Sequence, residues 1–136
     1  MKNKDKKISV EEAYLRLATT AAAIGFGVEV VNIMGRRRHE RVAHARMTSY
    51  WLIRNGLGLS YEAIGAIFSK DHGTIMHGCN KVEEILEHDR RNTHNNNWCE
   101  CVKKSHKYFV KLHKARANAD INRKLKEVED VILQIA

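Results

Sequence analysis

The chain has 136 residues, with a hydrophobic share of 43%, enough for one packed domain or a smaller domain with an appendage, and too apolar for a disordered protein. Its 24 Lys and Arg outweigh 16 Asp and Glu, a net charge of +8, which points toward an anionic partner such as nucleic acid. Three cysteines without framework spacing, Cys79, Cys99 and Cys101, fit free thiols in a reducing compartment. The opening MKNKDKK is not followed by a smooth apolar run, and Leu17 to Val28 is too short to span a bilayer, so a cytoplasmic protein without a membrane partner is expected.

With no proline and glycines at 25, 27, 35, 56 and 58, the pattern is all-α. Ser9 can cap a first helix running to about Ala23, with Glu12 completing a capping box, and the GFG at 25–27 ends it. A short helix over Val28 to Met34 stops at Gly35. From about Glu40 to Asn55, the succession Tyr50, Trp51, Leu52, Ile53 marks a buried central helix, with Gly56 at its C-terminal end.

Ser60 can cap a compact helix, Tyr61 to Phe68, that turns Ile64, Ile67 and Phe68 inward. After a turn at Ser69 and Lys70, Asp71 can cap the next, which runs to about His88 with Ile75, Cys79, Val82 and Leu86 as its apolar stripe. Two helices joined by a minimal turn make a helix-turn-helix pattern. Residues 92–97, NTHNNN, read as a polar linker or helix break. Beyond it, Trp98, Val102, Phe109 and Leu112 can line one helix, and Ile121, Leu125, Val128 and Ile132 a last one. The two are expected to pair as an αα-hairpin or to serve as a tail.

The second helix of the helix-turn-helix opens with DHGTIMH. A metal reading needs converging ligands, yet His72 and His77 are five residues apart and diverge by about 140° around a helix. No Ser or Cys has a base placed by an identifiable motif, so nucleophilic catalysis lacks support, and no catalytic or metal-binding residues are expected. Cys99 and Cys101 with scattered His are likewise poor zinc spacing. A helix N-terminus, by contrast, presents free N–H groups and a positive dipole end to phosphates while its side chains reach base edges. His72, Gly73 and Thr74 form that tip. Upstream, Arg36, Arg37, Arg38, Arg41 and Arg46 lie in GRRRHERVAHAR, whose first half is a loop able to enter a minor groove or grip phosphate. Lys103, Lys107, Lys111 and Lys114 share a helical face that is either solvated or a second phosphate-contacting surface.

Four ordered segments carry a family resemblance over about residues 8–91, roughly three fifths of the chain. GVEVVNIMGRRR, RVAHARMTSYWLIRN, LSYEAIGAIF and DHGTIMHGCNKVEEI resemble successive pieces of the C-terminal DNA-binding domain of the bacterial replication initiator DnaA. Its counterparts of the last three are VARPRQMAMYLAR, SLPEIGRAF and DHTTVLHACRKIEEL. The resemblance implies a Trp-repressor-like helix-turn-helix bundle over 8–91, to which the residues themselves add a linker at 92–97 and a helical extension over 98–136. It implies Arg38 in the minor groove beside Arg37, and Arg46 on the major-groove side. It further implies Arg54 and Lys81 on phosphate, Tyr61 near the DNA backbone, and Asp71, His72, Gly73 and Thr74 at the reading tip.

This chain departs from the family with Gly73 for the first signature Thr, His44 and Ala45 for Arg and Pro, Met47 for Gln, and a turn one residue shorter before Asp71. DNA binding survives these changes better than the family's sequence preference does. No GxxxxGK[ST] loop occurs, so the expectation is a non-enzymatic double-stranded DNA-binding protein that needs no cofactor and binds no nucleotide, and that acts in or regulates replication or transcription. The other reading is a structural or interaction module that keeps the fold, with residues 98–136 joining a second copy or a partner protein.

Overall fold

In the computed structural model, residues 9–36, 39–91 and 97–135 are described. They form six helices, and no strand occurs among the described residues: α1 Val10–Phe26, α2 Val30–Met34, α3 Glu40–Leu57, α4 Tyr61–Phe68, α5 His72–Arg91 and α6 Asn97–Ile135.

Local signals set the starts of α1 and α4. The Ser9 hydroxyl accepts from the Glu12 N–H at 3.1 Å and the Ser60 hydroxyl from the Ala63 N–H at 3.1 Å, each satisfying one orphan donor of a first turn. The Glu12 carboxylate accepts from Arg16 at 3.1 Å one turn on. At the other end, α1 runs past the expected Ala23 to Phe26 and stops where Gly27 takes the left-handed conformation, φ 67°, that glycine adopts without a Cβ penalty.

The core is built around α3, whose Tyr50, Trp51, Leu52 and Ile53 are all buried. One layer is α1 against α6, and the other is α4 and α5, with α5 lying on α3. The α1 side of the first layer is made of small residues at helical spacing: Ala18, Ala21, Ala22 and Gly25. At Gly25 the two backbones come so close that a Cβ would stand 2.0 Å from the Ser105 hydroxyl and 2.8 Å from the Cys101 carbonyl. The buried hydroxyls of Thr19, Thr48, Ser49 and Ser105 donate to carbonyls one turn back, so none is left unsatisfied.

Two expectations are corrected. Gly56 is not the end of α3: the helix continues to Leu57 and Gly58, at φ 68°, is the cap. Gly56 instead makes room for Phe109 of α6, whose ring edge lies 2.7 Å from where a Cβ would be. The expected helical hairpin after residue 97 is also absent, because α6 is one helix of 39 residues, about 58 Å at 1.5 Å per residue. The apolar stripe does change direction, since nine residues separate Leu112 from Ile121 and place them on opposite faces at about 100° per residue. That change marks the point where the helix leaves the core rather than a chain reversal. Residues 113–121 hold three alanines and neither Gly nor Pro, so nothing breaks the helix there. The first half of α6 sends Cys101, Val102 and Phe109 into the same core as α1 and α3.

All three cysteines are buried free thiols. Burial pushes Cys79 up to about 11, and burial together with a hydrogen bond to Asp89 pushes Cys99 up to about 11, so both are protonated at neutral pH.

Candidate nucleic-acid interface

The tight turn between α4 and α5 depends on one glycine. Gly65 packs against the turn so closely that a Cβ there would meet the Lys70 carbonyl oxygen at 2.5 Å, while its own carbonyl accepts from the Lys70 N–H at 2.8 Å. Ser69 bends the chain through the left-handed region at φ 55°. α5 then starts at a fixed angle to α4, with Ile75, Cys79 and Val82 buried beneath it.

Asp71 is the cap of α5. Its carboxylate accepts from the Gly73 N–H at 3.0 Å, and its backbone carbonyl accepts from Thr74 and Ile75 at 3.0 and 3.2 Å. The second carboxylate oxygen lies 3.7 Å from His72 Nδ1. His72 and Thr74 are exposed and Gly73 is half-buried, so the first turn of α5 presents an imidazole, a hydroxyl with its methyl, and a near-bare stretch of backbone. Gly73 has little spare room on the cap side: a Cβ would stand 2.8 Å from the Asp71 carboxylate.

Beside this tip lies a shallow pocket between the first half of α3 and the first turns of α5, lined by Arg46, Met47, Tyr50, Lys70, Thr74 and His77 among others. Lys81 follows Thr74 by seven residues and His77 by four, on nearly the same helical face. It is exposed, with Glu84 at 3.6 Å. Lys70 and His77 therefore join the candidate surface, although neither was singled out as a DNA contact from the sequence. The helical spacing Thr74, His77, Lys81 is the signal that marks His77; Lys70 has no periodicity, being in the turn.

The basic segment divides. Arg46 is half-buried and its guanidinium is bound to the end of α2: Nε donates to the Ile33 carbonyl at 2.8 Å, and one terminal nitrogen donates to Asn32 and Gly35 at 3.0 and 2.9 Å. Arg41 does the same service for α1, donating to the Phe26 carbonyl and reaching the Cys101 sulfur at 3.8 Å. Both arginines thus donate to carbonyls where helices end, the Asn32 carbonyl accepting from the Gly35 N–H as well. Arg36 is exposed at the start of the loop, and Arg37 and Arg38 lie outside the described residues.

Arg54 and Tyr61 form a second group, at the junction of α3 and α4. The Arg54 guanidinium donates to the Leu59 carbonyl at 2.8 Å and sits 4.3 Å above the Tyr61 ring, an arrangement that holds an exposed cation in place. Among the described residues no group of three or more His, Cys, Asp or Glu is arranged to hold a metal ion. No helix among them is long and apolar enough to cross a membrane.

A family model described as "Bacterial dnaA protein helix-turn-helix" matches residues 19–82, which take in the second half of α1, all of α2 to α4 and the first half of α5. Residues 19–82 are a DnaA-type helix-turn-helix domain. The chain is similar to chromosomal replication initiator protein DnaA 1 of Chlamydia muridarum, 35% identical over 71 residues, which is 52% of this chain and 16% of that protein. It is also similar to DnaA 2 of Chlamydia trachomatis, 32% identical over 84 residues, 62% of this chain and 17% of that protein. A third relative, DnaA of Nostoc, is 30% identical over 80 residues, 58% of this chain and 17% of that protein. The match spans about a sixth of the length of these curated relatives. The DnaA-type domain ends its match at Val82, so α6 lies beyond it.

Proposed function

We propose that this chain binds double-stranded DNA sequence-selectively through α4 and α5, and acts in or regulates DNA replication or transcription in the cytoplasm without nucleotide turnover or a cofactor of its own. The observation that carries this reading is the exposed first turn of α5, His72-Gly73-Thr74, held at a fixed angle by the Gly65 turn inside the segment that matches the DnaA helix-turn-helix family. In this reading Thr74 and His72 meet base edges. Gly73 lets the backbone approach, Asp71 orders the tip as its cap, and Lys81, Arg54 and Tyr61 meet the DNA backbone. Arg37 and Arg38 supply the loop contacts. Arg46 contributes by fixing where that loop starts and through its place in the pocket beside the tip. The DNA-contacting elements lie within residues 8–91, and the first half of α6 supports them by sharing their core, so that only the second half of α6 is an extension.

The test is a binding-site selection from random duplex, read by sequencing, on wild type, His72→Ala, Thr74→Ala and Gly73→Thr. Base contacts specify while phosphate contacts position, so each alanine variant should lose roughly 1–3 kcal/mol on the selected site and much less on random duplex. Gly73→Thr should shift the selected base while displacing the Asp71 carboxylate by a few tenths of an ångström, at a cost near that of a weakened cap, about 1 kcal/mol. Folded wild type that enriches nothing above random overturns the selective reading.

A second reading, an interaction module that retains the fold, draws on a different observation. The end of α6 exposes Ile121, Leu125, Val128 and Ile132, each more than half accessible.

A further inference from the structure

Beyond Ala117, α6 leaves the core, and every described side chain from Ile121 onward is exposed. Of the six exposed large apolar residues there, Val131 and Leu133 lie off the line and the other four share one face. Ile121, Leu125, Val128 and Ile132, at 55, 56, 56 and 58% exposure, follow one another at steps of four, three and four. Those steps are the d, a, d, a positions of a heptad, which on a helix of this length define a seam for other helices.

The register places the polar residues as well. One step before Ile121, the a position is Asn118, the polar residue that fixes alignment in parallel coiled coils. Position g is Lys124 and the following e is Glu129. In a parallel, in-register arrangement the g of one helix faces the next e of its neighbour, so Lys124 stands opposite Glu129 of the second copy, and the reciprocal pair forms by symmetry. An antiparallel arrangement sets g against g and e against e and forfeits both pairs.

The charge along the segment excludes the other candidate surfaces. Arg123, Lys124 and Lys126 are balanced by Asp120, Glu127, Glu129 and Asp130, in contrast to the first half of α6, where Lys103 to Arg116 carries no acid. A segment with that balance has no electrostatic attraction for a polyanion or an anionic bilayer. The chain's own core is not the occupant either, because α1 is already covered by the first half of α6.

We infer that residues 118–132 of α6 associate with the same segment of a second copy as a parallel coiled coil. A parallel arrangement gathers the DnaA-type domains at one end of the assembly. On the proposed DNA-binding reading, two joined domains engage two neighbouring sites with an avidity that neither has alone.

Sedimentation equilibrium of the full chain at micromolar concentration, without DNA, tests the association itself. The expected particle mass is two or more times the 15.6 kDa of one chain. Leu125→Glu with Ile132→Glu should be monomeric while keeping its helical circular dichroism, since both positions are exposed and outside the core. Orientation is read by charge reversal. Lys124→Glu should weaken self-association about two- to five-fold, and adding Glu129→Lys should restore it. A monomeric wild type overturns the inference, and a double reversal that fails to restore association overturns the parallel register. The Leu125→Glu, Ile132→Glu variant should still bind a single-site duplex like wild type. Loss of duplex binding by both proteins would strike the DNA-binding reading and leave the association intact.

Discussion

Replacing Arg46 separates its two roles, as anchor of the loop before α3 and as a direct DNA contact. Its guanidinium donates to three carbonyls, Ile33 at 2.8 Å, Asn32 at 3.0 Å and Gly35 at 2.9 Å, of which Asn32 also accepts from the Gly35 N–H. Hydrogen bonds from a charged donor contribute about 1.5–3 kcal/mol each when counted singly, but Arg46 is half-buried and water can reach the end of α2 once the side chain is gone. The low end of the range and some sharing among the three bring the total for Arg46→Ala to about 2–4 kcal/mol. Arg46→Lys keeps the charge but has no planar fork, so it can serve only part of the set and should lose about half as much. At about 3–5 °C per kcal/mol for a domain of this size, Ala lowers the melting temperature by roughly 10 °C and Lys by roughly 5 °C. Thermal circular dichroism in low and high salt measures it, and the loss should persist in high salt because these are short hydrogen bonds rather than long-range charge effects. An Arg46→Ala protein with unchanged melting temperature and lost duplex affinity would refute the anchoring role and leave DNA contact as the whole of it.

Gly65→Ala forces a Cβ against the Lys70 carbonyl at 2.5 Å, and reaching ordinary contact opens the turn by most of an ångström. The expected cost is about 1–3 kcal/mol in denaturant unfolding, with a loss of duplex affinity greater than that of an exposed control such as Ala66→Ser. Lys81→Ala should lower the log–log salt slope of duplex binding by about 0.9 in fluorescence anisotropy, and an unchanged slope removes Lys81 from the interface. His44 stacks on Trp98 with ring centroids 3.7 Å apart, and burial lowers its pKa below 6.5, opposed in part by Glu40. The folded state therefore prefers the neutral imidazole: the contribution is full above pH 6.5 and is lost as pH falls below it. Unfolding free energies of wild type and His44→Gln between pH 5 and 7.5 should differ most at the high end, and a constant difference would refute it.

The sequence by itself determined the all-α class, the caps at Ser9 and Ser60, the turn before α5, and the buried stripe Ile75, Cys79, Val82. Those features are legible because capping and helical periodicity act within about four residues, so the chain alone carries both partners of each interaction. The exposed tip at His72 to Thr74 was legible for the same reason, since a cap at Asp71 and a stripe beginning at Ile75 leave the first turn outside the core. Tertiary structure decided the rest. Arg41 and Arg46 look in sequence like members of one basic patch, yet their guanidinium groups go to carbonyls of Phe26 and of Asn32 to Gly35, eleven or more residues away. Either of Gly56 and Gly58 can end a helix on local grounds. Phe109, more than fifty residues on, requires the space that Gly56 leaves, so the cap falls to Gly58. Whether α6 turned back or ran straight also lay outside local rules. The answer came from a core that ends at α1, beyond which a helix without Gly or Pro has no surface to fold back upon and continues into solvent with its seam exposed.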